Sequence, residues 1–318
     1  MQILICGSMA FDTIMVFPDK FKHHILPEKT HMLNVAFLVP EMRKEFGGTA
    51  GNIAYNLNLL EDKPVIMATV GDDFGPYDTW LAHNKISTTH IKKIQGSFTA
   101  QAFITTDMDD NQITAFHPGA MNESYQNSVN DAKDATLAII APDGRDGMFK
   151  HAQECFDAGI PFLFDPGQGL PMFNGEELLQ FIAMADYMAV NDYEAQMLQE
   201  KTGLTLEVLA TKVKALIVTL GGDGSHIYAD GQRHEIPCVK AFELVDPTGC
   251  GDAYRAGLLY GISRGWDWPT CGRLASVMGS IKIGSRGGQN HTPSKAEIEQ
   301  IYSQALVDET MANQSLDI

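Results

Sequence analysis

The run YMAVNDYEAQMLQE, residues 187–200, passes from a short apolar stretch, YMAV, straight into a helical pattern from residue 192. A strand that feeds a helix in this way is the building unit of a parallel sheet. Working outward, the same alternation recurs. LIVTL (216–220) follows the helical candidate 205–213. Upstream, ILIC (3–6), VIMATV (65–70), LAIIA (137–141) and FLF (162–164) are interleaved with helical candidates near 50–60, 76–84, 146–158 and 175–185. Near-continuous apolar runs of this length suit strands buried on both faces, so the chain reads as an α/β fold with a mostly parallel central sheet.

Two regions break the rhythm. Residues 12–46 and 96–120 carry Thr, Phe, Val and Ile in alternation with polar turns such as MDDNQ, and they are expected to form a small β lid over the site. From Thr248 onward the pattern is wholly helical. The last helix is expected to be capped by Ser294 with Glu297 three residues later. No repeat or interdomain linker is visible, so residues 1–318 are read as one domain with inserted lid segments.

Composition narrows the function. A formal charge of -17 and the lack of a Lys/Arg run argue against nucleic acid and acidic membrane as partners. Five scattered cysteines form no C-x-x-C pair, and no apolar stretch approaches eighteen residues. A cytoplasmic protein is expected. The P-loop, G-x-G-x-x-G and H-E-x-x-H patterns are missing, which removes three large enzyme classes.

The stretch LVDPTGCGDAYRAGLLYGI (244–262) carries the chemistry. Gly249, Cys250 and Gly251 lead into a helix whose first-turn amides and dipole would make an anion hole, with Asp252 facing the same point as a base. An ordinary first-turn carboxylate beside a Gly-rich loop would look the same in isolation. In FGGTAGNIAYNLNLL (46–60), Gly47 and Gly48 permit close backbone approach and Asn52 opens a helix. Ser8 and Asp12 follow the first strand, at the sheet edge where α/β ligands bind.

These strings resemble the two signatures of the ribokinase-like (PfkB) carbohydrate kinase family, D-T-x-G-A-G-D and G-G-x-x-x-N-x-A. Pro247 and Cys250 depart from the pattern, and Cys250 is read as a small buried thiol in place of Ala. The resemblance spans residues 3 to about 305 and implies a ribokinase-like three-layer sandwich with a β lid. It implies Asp252 as catalytic base, with the amides of 249–252 as anion hole. Asp12, Gly47, Gly48 and Asn52 would hold sugar hydroxyls. VNDYEAQML (190–198) resembles the N-x-x-E motif, in which Glu194 organises hydrated magnesium, although helix capping by Asn191 explains the same spacing. Asp165 is expected to act on the metal through water. TLGGDGS (219–225), with Thr219, Gly221, Gly222 and Gly224, resembles the nucleotide-phosphate loop. The segment 278–293 corresponds loosely to where the family holds adenine and a monovalent cation such as K+.

HMLNVAFLV (31–39), with Asn34, and NQITAFHPGAM (111–121) look most like adenosine or broad nucleoside kinases. Phe37, Phe103 and Phe116 would stack a purine, unless they only pack the lid. The function expected is therefore transfer of the γ-phosphoryl of ATP, with Mg2+, to the 5'-hydroxyl of a nucleoside, adenosine first. A sugar kinase of the ribokinase or fructokinase type and a non-catalytic nucleoside-binding regulator are the alternatives. Monomer and homodimer both stay open.

Overall fold

The computed structural model describes residues 1–25, 35–109 and 111–315. Nine strands form one sheet in the order β13-β12-β11-β10-β9-β8-β1-β4-β5. Seven of them, β1 (Gln2–Cys6), β4 (Val65–Val70), β5 (Ser87–Lys93), β8 (Ala135–Ile140), β9 (Phe162–Phe164), β10 (Tyr187–Asn191) and β11 (Ala215–Thr219), run parallel. β12 (Ser225–Ala229) and β13 (Gln232–Ile236) extend the sheet antiparallel.

β1 shows why the sheet is buried on both faces. Ile3 and Ile5 point into one apolar cluster with Ile53 and Leu57 of α1 (Thr49–Leu59) and Leu258 of α7 (Cys250–Ser263). Leu4 and Cys6 point into the other, with Met148 of α3 (Arg145–Ala158) and Phe181 of α4 (Gly175–Met184). The two-residue period of a strand sends successive side chains to opposite layers, and each layer is filled by helices. α2 (Gly75–His83), α8 (Trp268–Lys282) and α9 (Lys295–Ser315) join the first layer; α5 (Asp192–Thr202) and α6 (Leu206–Ala210) join the second.

The second sheet has the order β3-β2-β6-β7, from β2 (Ala10–Val16), β3 (Glu41–Gly47), β6 (Ala100–Thr106) and β7 (Gln112–His117). It is built from the two segments expected to form the lid. Every residue of β7 is exposed, as suits an edge strand with one face on a cleft.

The expected capping of the last helix is present: the Glu297 amide donates to Ser294 Oγ and Glu297 Oε2 accepts from the Ser294 amide. β5, β12 and β13 were not expected from the sequence. The β12–β13 hairpin turns at Asp230 and Gly231, both at positive φ, 52° and 72°.

The second layer can be tested away from any site. The Phe181 ring stacks on Phe164 at 4.3 Å and meets Phe149 at 4.3 Å and Phe173 at 5.1 Å, with no exposure. Phe181→Ala is expected to lower the unfolding free energy in urea by about 3–5 kcal/mol through lost burial and a cavity.

Candidate active site

Strand order reverses at β1, whose neighbours are β8 on one side and β4 on the other. Such a switch opens a crevice at the carboxyl ends of the strands. Here the Ser8 amide, just after β1, donates to the Pro142 carbonyl just after β8, at 3.1 Å. The lid sheet covers this crevice and leaves a cleft of about 520 Å³, bordered by Ser8, Asp12, Asn52, Phe116, Asp143 and Asp252.

Each of these residues is placed by its own element. Gly48 turns the chain into α1 at φ +84°, and a Cβ there would lie 2.5 Å from the Ser8 carbonyl, so only glycine fits. Asp12 pairs across β2 with Glu45 of β3, and its carboxylate packs so closely on Gly47 that a Cβ would come within 2.3 Å of Oδ2. Burial first, then Glu45 and Asp246, push the Asp12 carboxyl up to about 6.

Asp252, in the first turn of α7, accepts from Asn52 Nδ2 at 2.8 Å. Burial raises its pKa to about 7, assisted by Asp165 and Asp12, whereas the Asn52 bond and Arg255 oppose the rise. Asn52 is itself held: Gln289 Nε2 donates to its Oδ1 at 3.0 Å and to Tyr77 Oη at 2.5 Å, and Tyr77 donates to the Gly47 carbonyl. Trp80 Nε1 donates to Gln289 Oε1 at 2.9 Å. Gln289, Tyr77 and Trp80 were missed in the sequence. Gln289 sits in the segment 278–293, where the only signal was a Gly-Gly pair before it.

The helix start has the expected form. Gly249 caps α7 at φ +78°, and helical bonding begins with the Ala253 amide on the Gly249 carbonyl. The amides of Gly251 and Asp252 therefore have no helical acceptor. The Cys250 amide differs from the expectation, because it closes a turn on the Pro247 carbonyl at 3.1 Å. Burial raises the Cys250 thiol to about 11, so it is neutral rather than nucleophilic.

Asp165, expected to act on the metal through water, is paired with a buried arginine. Arg255 Nε meets its Oδ2 at 3.0 Å and Nη2 donates to Oδ1, with both side chains buried, so the carboxylate is engaged edge-on by a guanidinium. Asn191 and Glu194 form a reciprocal capping box at the start of α5, and Asn191 lies in register with Thr219. Burial and Asp165 raise the Glu194 carboxyl. Gly221, Gly222 and Gly224 follow β11 at the same edge, with Gly221 and Gly224 at positive φ.

The lid region corrects two aromatic assignments. Ala102, Ile104, Thr114 and Phe116 border the cleft, whereas Phe103 does not, because neighbours on a strand face opposite sides. Phe37 packs instead against Phe17 and Phe21, at 4.8 and 5.0 Å. Asn34 lies outside the described residues. Met121, Asp143, Gln168 and Met172, which sequence reasoning missed as site residues, also border the cleft. Asp143 follows β8 in a Pro-Asp-Gly string that reads as a turn and gives no signal of a site.

A donor set of free first-turn amides at a dipole end, beside a buried carboxylate, suits a phosphoryl group approached by a hydroxyl. Comparison with known proteins agrees. The sequence profile described as pfkB family carbohydrate kinase matches residues 10–295. The chain is 32% identical over 269 residues to a nucleoside kinase of Methanocaldococcus jannaschii, covering 84% of this chain and 88% of that one. It is 49% identical to the Burkholderia thailandensis nucleoside kinase solved in complex with inosine, with 95% of this chain and 97% of that chain covered and a TM-score of 0.87. The same protein, solved in complex with ADP-inosine, superposes with a TM-score of 0.85 at 51% identity over 95% of each chain. The chain thus belongs to the pfkB family of carbohydrate kinases and is a phosphotransferase that acts on a hydroxyl group.

Proposed function

We propose that this kinase transfers the γ-phosphoryl of ATP to the 5'-hydroxyl of a purine nucleoside, adenosine among them, in the cytoplasm. The observation that carries the reading is a cleft bordered by Asp12 and Asp252 from two different elements, a strand of the lid and the start of α7. Asp12, on the lid strand β2, is placed to accept from a vicinal diol, and Asp252, on the helix start, is placed to accept the proton of the attacking hydroxyl. Similarity to the nucleoside kinases named above supports a nucleoside over a free sugar.

In this mechanism the ribose lies against Asp12, Asn52 and Gly48. The base lies between Phe116 and Ile104 on the lid and Met121 and Met172 opposite, an apolar slot suited to a flat ring. Asp252 takes the hydroxyl proton while the Gly251 and Asp252 amides hold the phosphoryl oxygens. The glycine loop 221–224, on the far side of Asn191, is assigned to the nucleotide phosphates. Magnesium, when bound with the nucleotide, would neutralise charge on its phosphates. Glu194 is the carboxylate assigned to orient that metal's waters, and the lid strands would exclude bulk water. No higher assembly is required, and the protein is assigned as a monomer or homodimer.

ADP release from Mg-ATP against adenosine, inosine, guanosine, cytidine, ribose and fructose tests this reading. Turnover of purine nucleosides is expected, with Asp252→Asn lowering kcat by about 10²–10⁴-fold. Turnover of free sugars alone would overturn the substrate assignment and keep the family.

The pH profile gives a second test. The base works ionised, and burial places its ionisation at about 7, so kcat/KM should fall on the acid side with an apparent pKa near that value. Asn52→Ala removes a donor that favours the ionised form, so it should move this limb to higher pH. A limb unmoved by the substitution would separate Asn52 from the base.

A further inference from the structure

Lys282, in the last turn of α8, is among the largest side chains with no exposure. A lysine so deeply buried ordinarily has a carboxylate partner. Among the described residues Lys282 has no such ion pair. Its Nζ donates instead to two backbone carbonyls, Asp246 at 3.0 Å and Ser285 at 2.9 Å. The Asp246 carboxylate is spent elsewhere, accepting from the amides of Thr248 and Gly287, both at 2.9 Å.

The place of this ammonium matters more than its burial. Asp246 opens the loop that ends in Asp252, and the loop is strapped to the end of α8 by bonds from the Val245 and Asp246 amides to the Ile283 carbonyl. Lys282 Cε lies 3.7 Å from the point a Cβ of Gly249 would occupy, directly under the turn that aims the anion-hole amides. Carbonyl oxygens on a rigid loop are the ligands that a dehydrated monovalent cation takes. Here a tethered ammonium already takes them. The monovalent cation implied by the family resemblance has no room at these two oxygens.

We propose that the Lys282 ammonium is the resident monovalent cation of this active site, a positioning residue that holds the Asp246–Asp252 loop by its carbonyls and makes phosphoryl transfer independent of added potassium. The charge also backs the amides of α7 with a fixed positive point, adding to the helix dipole where transferred charge accumulates. Burial depresses the Lys282 pKa, and the nearby Cys250, Asp246 and Asp252 oppose that shift. The inference rests on the assignment of Asp252 as the base.

The test is steady-state ADP release with adenosine or inosine at constant ionic strength in potassium, ammonium, sodium or tetramethylammonium chloride. The wild-type rate is expected to be the same in all four. Lys282→Met, which keeps the apolar stem, should lose on the order of 10²-fold in kcat, as for loss of one anion-hole donor, with little change in the nucleoside KM. Lys282→Ala should regain rate saturably with ammonium or potassium and not with tetramethylammonium. A role confined to packing would give no such size-selective rescue.

A wild type that needs potassium overturns the proposal, as does either variant with wild-type kcat, or a folded Lys282→Ala that no cation rescues. Should Lys282→Ala fail to fold, the kcat and KM of Lys282→Met decide. Asp252→Asn separates the two readings. If it stays active, the base assignment has failed; if it is silent while the Lys282 variants behave as wild type, only the present inference has.

Discussion

The 2.8 Å bond from Asn52 Nδ2 to Asp252 Oδ2 joins side chains 200 positions apart and fixes how α1 meets α7 at the floor of the cleft. Both helices enter through a glycine at positive φ, Gly48 and Gly249, so both present a first turn to the same point. The contact tolerates little around it. A Cβ on Gly288 would meet Asn52 Oδ1 at 2.3 Å, and one on Gly51 would meet Tyr77 Oη at 2.0 Å. Close backbone approach here lets Gln289 and Tyr77 lock Asn52 in one orientation, and a locked donor holds the carboxylate in one orientation too.

Electrostatics at the floor is a balance of opposed terms. After burial, Asp165 and Asp12 raise the Asp252 carboxyl, and Asp165 raises that of Glu194. Arg255 meets Asp165 by a two-point contact, and its charge, with the Asn52 bond, opposes the rise that burial imposes on Asp252. The result suits a base that must be ionised near neutrality yet retain basicity for a hydroxyl proton. A net charge of -17 does not by itself bar a polyphosphate, because amides at a helix start set the local potential.

Legibility in the sequence followed the physics of each feature. Strands buried on both faces leave unbroken apolar runs, so β1, β4, β8, β9, β10 and β11 were readable to within two residues or so. β5 reads STTHIKK, with exposed polar positions, and gives no such run. The β12–β13 hairpin did carry a signal, Asp-Gly flanked by alternation, and it was passed over. Both signature loops were legible because glycines at fixed spacing before a helix state a backbone need. Arg255, Gln289 and Lys282 were not, because a buried polar residue in a helix or loop looks like a surface one until a distant partner, Asp165, Asn52 or Asp246, is known. Phe103 and Phe116 were indistinguishable by composition. Only register, Ala102 opposite Phe116, assigns them to faces.

The N-x-x-E spacing shows how a structural and a functional reading can share atoms. Asn191 and Glu194 form a complete capping box: Glu194 Oε2 accepts from the Asn191 amide and Oε1 from Asn191 Nδ2, at 2.8 and 3.0 Å. A carboxylate has about four lone-pair positions, so two remain. Capping therefore does not compete with the water-mediated role proposed for Glu194, and it fixes the orientation of the side chain. It also fixes Glu194 at the end of β10, beside the loop that follows β11, since Asn191 and Thr219 are in register. Such a cap holds a carboxylate in one orientation at no cost in freedom beyond what the helix start already requires. The same logic holds for Asp252 in the first turn of α7: a helix start supplies both acceptor-seeking amides and a fixed direction for the acid beside them.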